Sequence, residues 1–168
     1  MHRKRCLGIL LVLAFNCVPA RASGLEVTAG IEMGVSGGYF GVGPQIGATI
    51  SGPAGSVLAF HDTLLLLPAG NTLGVNNQLT IGLGYSTPRL TLTAGGLLGF
   101  YRIPMCGRML CGMVMGFAPG GFAQLDVFLG RFLGLSARGT IAWHGGESLV
   151  PSDELAWSAT AGPIMRWQ

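Results

Sequence analysis

The feature that most constrains this chain is a period-two alternation that recurs along it in strand-length segments. The final stretch has it in clear form. Over residues 155–167 the odd positions Leu155, Trp157, Ala159, Ala161, Pro163, Met165 and Trp167 form one apolar side with a tryptophan near each end. The even positions Ala156, Ser158, Thr160, Gly162, Ile164 and Arg166 are small and mostly polar. Successive side chains of a strand point to opposite faces, so this segment is a strand between two different environments.

The same pattern appears upstream. Over residues 25–34, Leu25, Val27, Ala29, Ile31 and Met33 oppose Glu26, Thr28, Gly30, Glu32 and Gly34. Further strands are predicted at 39–50, 57–67, 78–85, 90–101, 112–129 and 132–143. The third is the least regular, because its apolar residues do not alternate. Either His61 or Asp62 faces the wrong way there, unless a bulge turns both inward. From the third strand onward, longer connections (68–77, 102–111, 144–154) alternate with tight turns (86–89, 130–131). Aromatics gather near the predicted ends: Tyr39, Phe40, Phe100, Tyr101, Trp143 and Trp157 at one rim, and Tyr85, Phe128, Phe132 and Trp167 at the other. Two aromatic girdles around an apolar band mark a membrane-crossing strand set. A backbone in lipid leaves no polar group unpaired, so such a sheet closes. The expected fold is all-β: an eight-stranded antiparallel up-and-down transmembrane β-barrel. A helix over 109–125, apolar and rich in glycine, is the rival reading. Pro104, Pro119 and the unbroken parity of 112–129 oppose it. Pro163 removes a backbone donor, so a bulge or frayed pairing is expected in the last strand.

Residues 1–22 read as a secretory signal peptide, leaving 23–168 as a single barrel domain. Arg3, Lys4 and Arg5 supply the positive start, residues 7–15 the apolar core, and Ala20-Arg21-Ala22 the small-x-small cleavage site. The apolar run is shorter than the ~20 residues of a spanning helix. A lipoprotein cleavage before Cys17 is opposed by Asn16 at the preceding position. Removal of Arg3, Lys4, Arg5 and Arg21 leaves six arginines against seven acids, a net charge of −1. That gives no basic footprint for nucleic acid. Cys106 and Cys111 remain as a lone pair, which in an exported chain points to a disulfide pinning a loop. No metal or cofactor site emerges: a zinc centre needs more ligands than that pair, and the chance G-x-G patterns lack a strand-to-helix context.

The expected inward face is Gly, Ser, Thr and Gln with a few charges, namely Glu26, Glu32, Asp126, Arg138 and Arg166. Closure places Glu26 beside Arg166 at the seam, and Arg138 in reach of Glu32, Asp126 and, should it turn inward, Asp62. The expected role of these charges is a buried salt-bridge network filling the lumen, since buried charges are normally paired. A conductance gate or polar relay is the functional alternative.

On this pattern, and not on a sequence motif, the chain resembles the small eight-stranded outer-membrane barrels of the OmpA transmembrane-domain and OmpX type. The resemblance covers residues 25–167. It implies residence in a bacterial outer membrane, contact with membrane lipids, and recognition of the last strand by the barrel assembly machinery. Met165 and Trp167 stand in that terminal pattern, with Gln168 one residue beyond it. The expected function is a non-enzymatic barrel that strengthens the envelope or presents surface loops. Some barrels it resembles modify outer-leaflet lipids, which requires a nucleophile or base at the outer rim. His144, Ser148 and Asp153 are the candidates, but no spacing singles them out as a catalytic set. A narrow channel is the third reading.

Overall fold

The computed structural model describes residues 24–36, 39–69, 72–106, 111–144 and 154–167. Eight strands form a closed barrel in sequence order: β1 (Gly24–Ser36), β2 (Tyr39–Ser51), β3 (Ser56–Ala69), β4 (Thr72–Ser86), β5 (Leu90–Cys106), β6 (Cys111–Phe128), β7 (Leu133–His144) and β8 (Glu154–Trp167). Every neighbour pair is antiparallel, and β8 closes on β1. The stretch that could have been a helix is β6, paired with β5 from Leu90↔Val127 to Cys106↔Cys111. Among the described residues no helix is long and apolar enough to cross a membrane, a test that does not concern strands.

Register fixes the geometry. A line of paired residues from Glu26 runs through Thr49, Ala59, Gly82, Gly95, Phe122, Thr140 and Ser158. It returns to β1 at Ser36, ten residues above its start. Eight strands with a shear of ten are tilted by about 45° and enclose an interior that side chains can fill.

The alternation sorts the two faces. Leu25, Val27, Ile31 and Met33 point outward, while Glu26, Thr28 and Glu32 are buried in the lumen. Trp157 and Trp167 lie ten residues apart on β8 and are both exposed outward. At ~45° tilt and ~3.3 Å per residue they are roughly 23 Å apart along the barrel axis, close to the ~25 Å apolar band of an outer-membrane barrel.

Two features differ from the sequence reading, the extent of the loops and the facing of some rim aromatics, and two of its alternatives resolve, in β3 and at Pro163. The segments expected as loops at 68–77 and 102–111 are largely strand, with β3 meeting β4 up to Ala69↔Thr72. Asn76 and Asn77 are polar yet pair with Tyr101 and Phe100, because Asn76 points into the lumen and Asn77 takes the outward side level with the Phe100 rim. In β3 no bulge is present: His61 is buried inside, and Asp62 takes the outward side. The alternation is hidden there because Leu65 and Leu67 also point inward and are fully buried. Finally, Tyr101 and Phe128 leave the girdles for the lumen, at 6 % and 2 % exposure. Pro163 pairs with Leu135 on one side, but on the β1 side the ladder is open between Gly30↔Ile164 and Met33↔Ala161. The register is the same above and below that opening, so pairing is frayed without a bulge.

Candidate functional site: the charged layer of the lumen

Arg138 is the hub. It sits on β7 between Gln124 of β6 and Thr160 of β8, its register partners on either side. Its Nη2 lies 3.6 Å from Oε1 of Glu32, and neither side chain has any exposure. Arg138 Nε donates to Gln124 Oε1 at 2.9 Å, and Nη1 donates to Thr63 Oγ1. The second oxygen of Glu32 accepts from Thr160 Oγ1 at 2.8 Å. With its amide nitrogen turned toward Glu32, Gln45 donates to Oε1 at 2.9 Å and accepts from Arg138 Nη2 at 2.7 Å. Gln124 Nε2 in turn donates to Asp126 at 2.9 and 3.2 Å. The layer therefore ties β1, β2, β3, β6, β7 and β8 together across the lumen.

A second ionic group closes the mouth at the end of the barrel that carries the tight turns 86–89 and 130–131. Arg166 Nη1 lies 3.9 Å from Glu26 Oε2 across the β8–β1 seam. Its Nε donates to Arg131 O at 3.0 Å and its Nη2 to Pro88 O at 2.5 Å, carbonyls of two different turns. The guanidinium also stacks 3.8 Å from the centroid of Phe128. One side chain thus spans the mouth, held by three walls.

Above the charged layer the lumen turns apolar. Leu65, Leu67, Leu97, Tyr101, Phe122 and Ala118 all face inward there. Small residues make the room. A Cβ on Gly82 would lie 2.7 Å from Phe122 Cζ and from Ala94 O, and one on Gly116 would lie 2.6 Å from the Tyr101 hydroxyl. Gln78 donates to Ser158 Oγ at 3.3 Å, Thr140 and Ser158 hydroxyls meet at 2.5 Å, and Asn76 donates to Ser36 Oγ at 2.8 Å. Charge, hydroxyl and apolar layers together occupy the interior.

The sequence candidates divide as follows. Glu32 and Arg138 meet directly, Asp126 joins them through Gln124, and Glu26 meets Arg166 separately. Asp62 takes the outward side and accepts a hydrogen bond from Asn77, while its charge still lies within Coulombic reach of Arg138. Phe100, Trp143, Trp157 and Trp167 are exposed outward, and Tyr85 is half-buried on the outward parity. Phe100 packs against Phe117 with centroids 5.4 Å apart. Tyr39 shares the inward parity of Gln45, so Phe40 takes the outward place at that rim. Cys106 and Cys111 are opposite each other in the β5–β6 register, and nothing further of them is described. His144 ends β7 opposite Glu154, whereas Ser148, Asp153 and residues 1–22 fall outside the described residues. Among the described residues no group of three or more His, Cys, Asp or Glu is placed to hold a metal. Sequence reasoning missed Gln45, Thr63 and Thr160 as members of the charged layer. Their inward parity was visible, but the register that brings them to Arg138 and Glu32 was not.

The sequence matches no protein-family model, and no curated protein is similar to it in sequence. Solved structures are similar in fold. The N-terminal β-barrel domain of Pseudomonas aeruginosa OprF has a TM-score of 0.63 at 15 % identity, covering 86 % of this chain and 99 % of that one. Ail, the attachment invasion locus protein of Yersinia pestis, solved with the heparin analogue sucrose octasulfate, gives 0.58 at 9 % identity, covering 88 % and 100 %. Neisserial surface protein A gives 0.52 at 13 % identity, covering 87 % and 98 %. The likeness establishes the fold: a closed eight-stranded up-and-down barrel of the kind found in small outer-membrane proteins.

Proposed function

We propose that this chain is a bacterial outer-membrane barrel, closed to solutes by its own side chains, that serves the envelope structurally and presents its outer segments at the surface. The observation that carries this reading is the pairing of an apolar outward face, bounded by aromatic ends, with a lumen spanned by the Glu32–Arg138 layer. Lipid meets the outside, and the inside offers no continuous aqueous path through that layer. Export follows cleavage after Ala22, and the terminal strand ending at Trp167 engages the assembly machinery. A Cys106–Cys111 disulfide ties the β5–β6 hairpin, whose register sets the two residues opposite each other.

The test is reconstitution into planar bilayers together with fractionation of cells producing the full chain. The expected result is outer-membrane recovery, a mobility that changes on heating, and no discrete conductance. Stepwise ion conductance from the pure barrel would overturn the closed reading, and recovery in the inner membrane would overturn the localisation.

A further inference from the structure

Three arginines gather at the tight-turn end of the barrel. Arg166 is buried and donates to the carbonyls of Pro88 and Arg131, so one guanidinium pins the turn between β4 and β5 to the turn between β6 and β7. Phe128 N donates to Arg89 O and holds the same two turns side by side. Arg89 and Arg131 stand in these turns and are exposed. The Arg131 guanidinium lies 5.3 Å from the ring centroid of Phe132. Among the described residues neither Arg89 nor Arg131 has a carboxylate partner. The two nearest acids are engaged elsewhere: Glu26 faces Arg166, and Asp126, further into the lumen, accepts from Gln124.

Beside Arg131 the surface is hollowed. Arg131, Phe132, Arg166 and Trp167 line a cleft of about 60 Å³ between the β6–β7 turn and the end of β8. Two of its walls are rings on the outer side of the barrel, and the other two are guanidiniums, one of them only 4 % exposed. Aromatic residues at a barrel rim sit at headgroup depth, and a guanidinium offers a planar pair of donors that matches phosphate oxygens.

We propose that this cleft binds the phosphate of an anionic phospholipid headgroup. Arg131 donates to the phosphate, Arg166 backs it with buried positive charge, and Arg89 adds charge from the neighbouring turn. The inference deepens the membrane-spanning reading above and rests on it. A soluble anion would meet the guanidiniums and leave the Phe132 and Trp167 rings uncovered. A lipid satisfies both walls, its phosphate on the cations and its glycerol and upper acyl carbons on the rings. An anionic lipid is preferred to a zwitterionic one, whose choline would bring a further cation to a site already in positive excess.

The test uses the full barrel in phosphatidylcholine bilayers, with W143F and W157F leaving Trp167 as the one tryptophan. Phosphatidylglycerol with brominated acyl chains is mixed in, and quenching measures its binding beside Trp167 relative to phosphatidylcholine. A preference of at least about threefold is expected, falling to parity in R131Q and partway in R89Q. The same measurement at the opposite rim, with W143F and W167F leaving Trp157, should show parity. Heat-shifted mobility of each sample reports folding separately, and its loss in the unaltered chain would fault the barrel reading. In a folded barrel, parity at Trp167, a preference that survives R131Q, or an equal preference at Trp157 would overturn the headgroup site. Loss of the preference on adding millimolar glycerol phosphate would overturn it too, by assigning the anion site to a soluble phosphate.

Discussion

Replacing Arg138 by methionine removes the cation at the hub of the lumen and keeps a stem of comparable length. Glu32 would retain Thr160 and Gln45 as donors but lose its counter-charge at 3.6 Å. Two unit charges at that separation interact by about 4–5 kcal/mol at an effective dielectric near 20. Removing one partner of a buried pair costs roughly 3–5 kcal/mol, because the other charge is left without compensation. Thr63 and Gln124 also lose a charged donor, but they belong to the same network and their contributions do not simply add. The expected loss for R138M is therefore about 3–5 kcal/mol. E32Q on the same background removes the stranded charge, so the double variant should be more stable than the sum of the single losses by about 2–3 kcal/mol. Equilibrium urea unfolding in lipid vesicles, followed through Trp143, Trp157 and Trp167, measures both quantities. An R138M barrel within about 1 kcal/mol of the parent, or a double-variant cycle with no coupling, would refute the view that this layer holds the barrel together.

Further expectations follow from single contacts. G82A should cost about 1–3 kcal/mol, since its methyl meets both a backbone carbonyl and the Phe122 ring, whereas G96A should stay within about 0.5 kcal/mol; the same unfolding assay compares them. A54G should stabilise by up to about 1 kcal/mol, because Ala54 holds a left-handed φ of 56° in the turn before β3. R166A should cost about 2–3 kcal/mol by removing the ion-pair partner of Glu26 at the seam and uncovering the carbonyls of Pro88 and Arg131, again read by urea unfolding. N-terminal sequencing of the membrane-inserted protein should begin at Ser23, and a retained Met1 would reject the signal reading.

The architecture was legible because its cause is periodic. An apolar outer face and a polar lumen impose an alternation that β1, β4, β7 and β8 display residue by residue. β3 was illegible for the same reason. Leu65 and Leu67 fill the lumen while Phe60 faces outward, so both faces are apolar and the parity signal vanishes. The seam pair Glu26–Arg166 could be foreseen because closure alone makes β1 and β8 neighbours. The partners of Arg138 were only partly foreseeable, since Thr63 lies four strands away by chain order and meets it through the interior of the barrel. Tyr101 and Phe128 were assigned to the girdles by their distance along the chain, yet rim position does not fix facing. Their burial over Gly116 and Gly134 shows that glycine on a neighbouring strand is the signal for an inward aromatic. The stretch 68–77 was placed in a loop because it is polar and carries glycine, and 102–111 because it holds the two cysteines, although ladder pairing depends on the backbone and not on side-chain character.

The central claim is that this apolar outward face meets lipid, with its aromatic ends at the two interfaces. The native tryptophans report on it without labels, because Trp143, Trp157 and Trp167 are all exposed outward near strand ends. Fluorescence quenching by lipids brominated at a series of acyl-chain depths measures where they sit. Quenching should be strongest with bromines near the carbonyl end and should weaken toward the chain terminus, giving a depth roughly 10–12 Å from the midplane. Tryptophans untouched by any brominated lipid, or quenched most by bromines at the bilayer centre, would contradict the account.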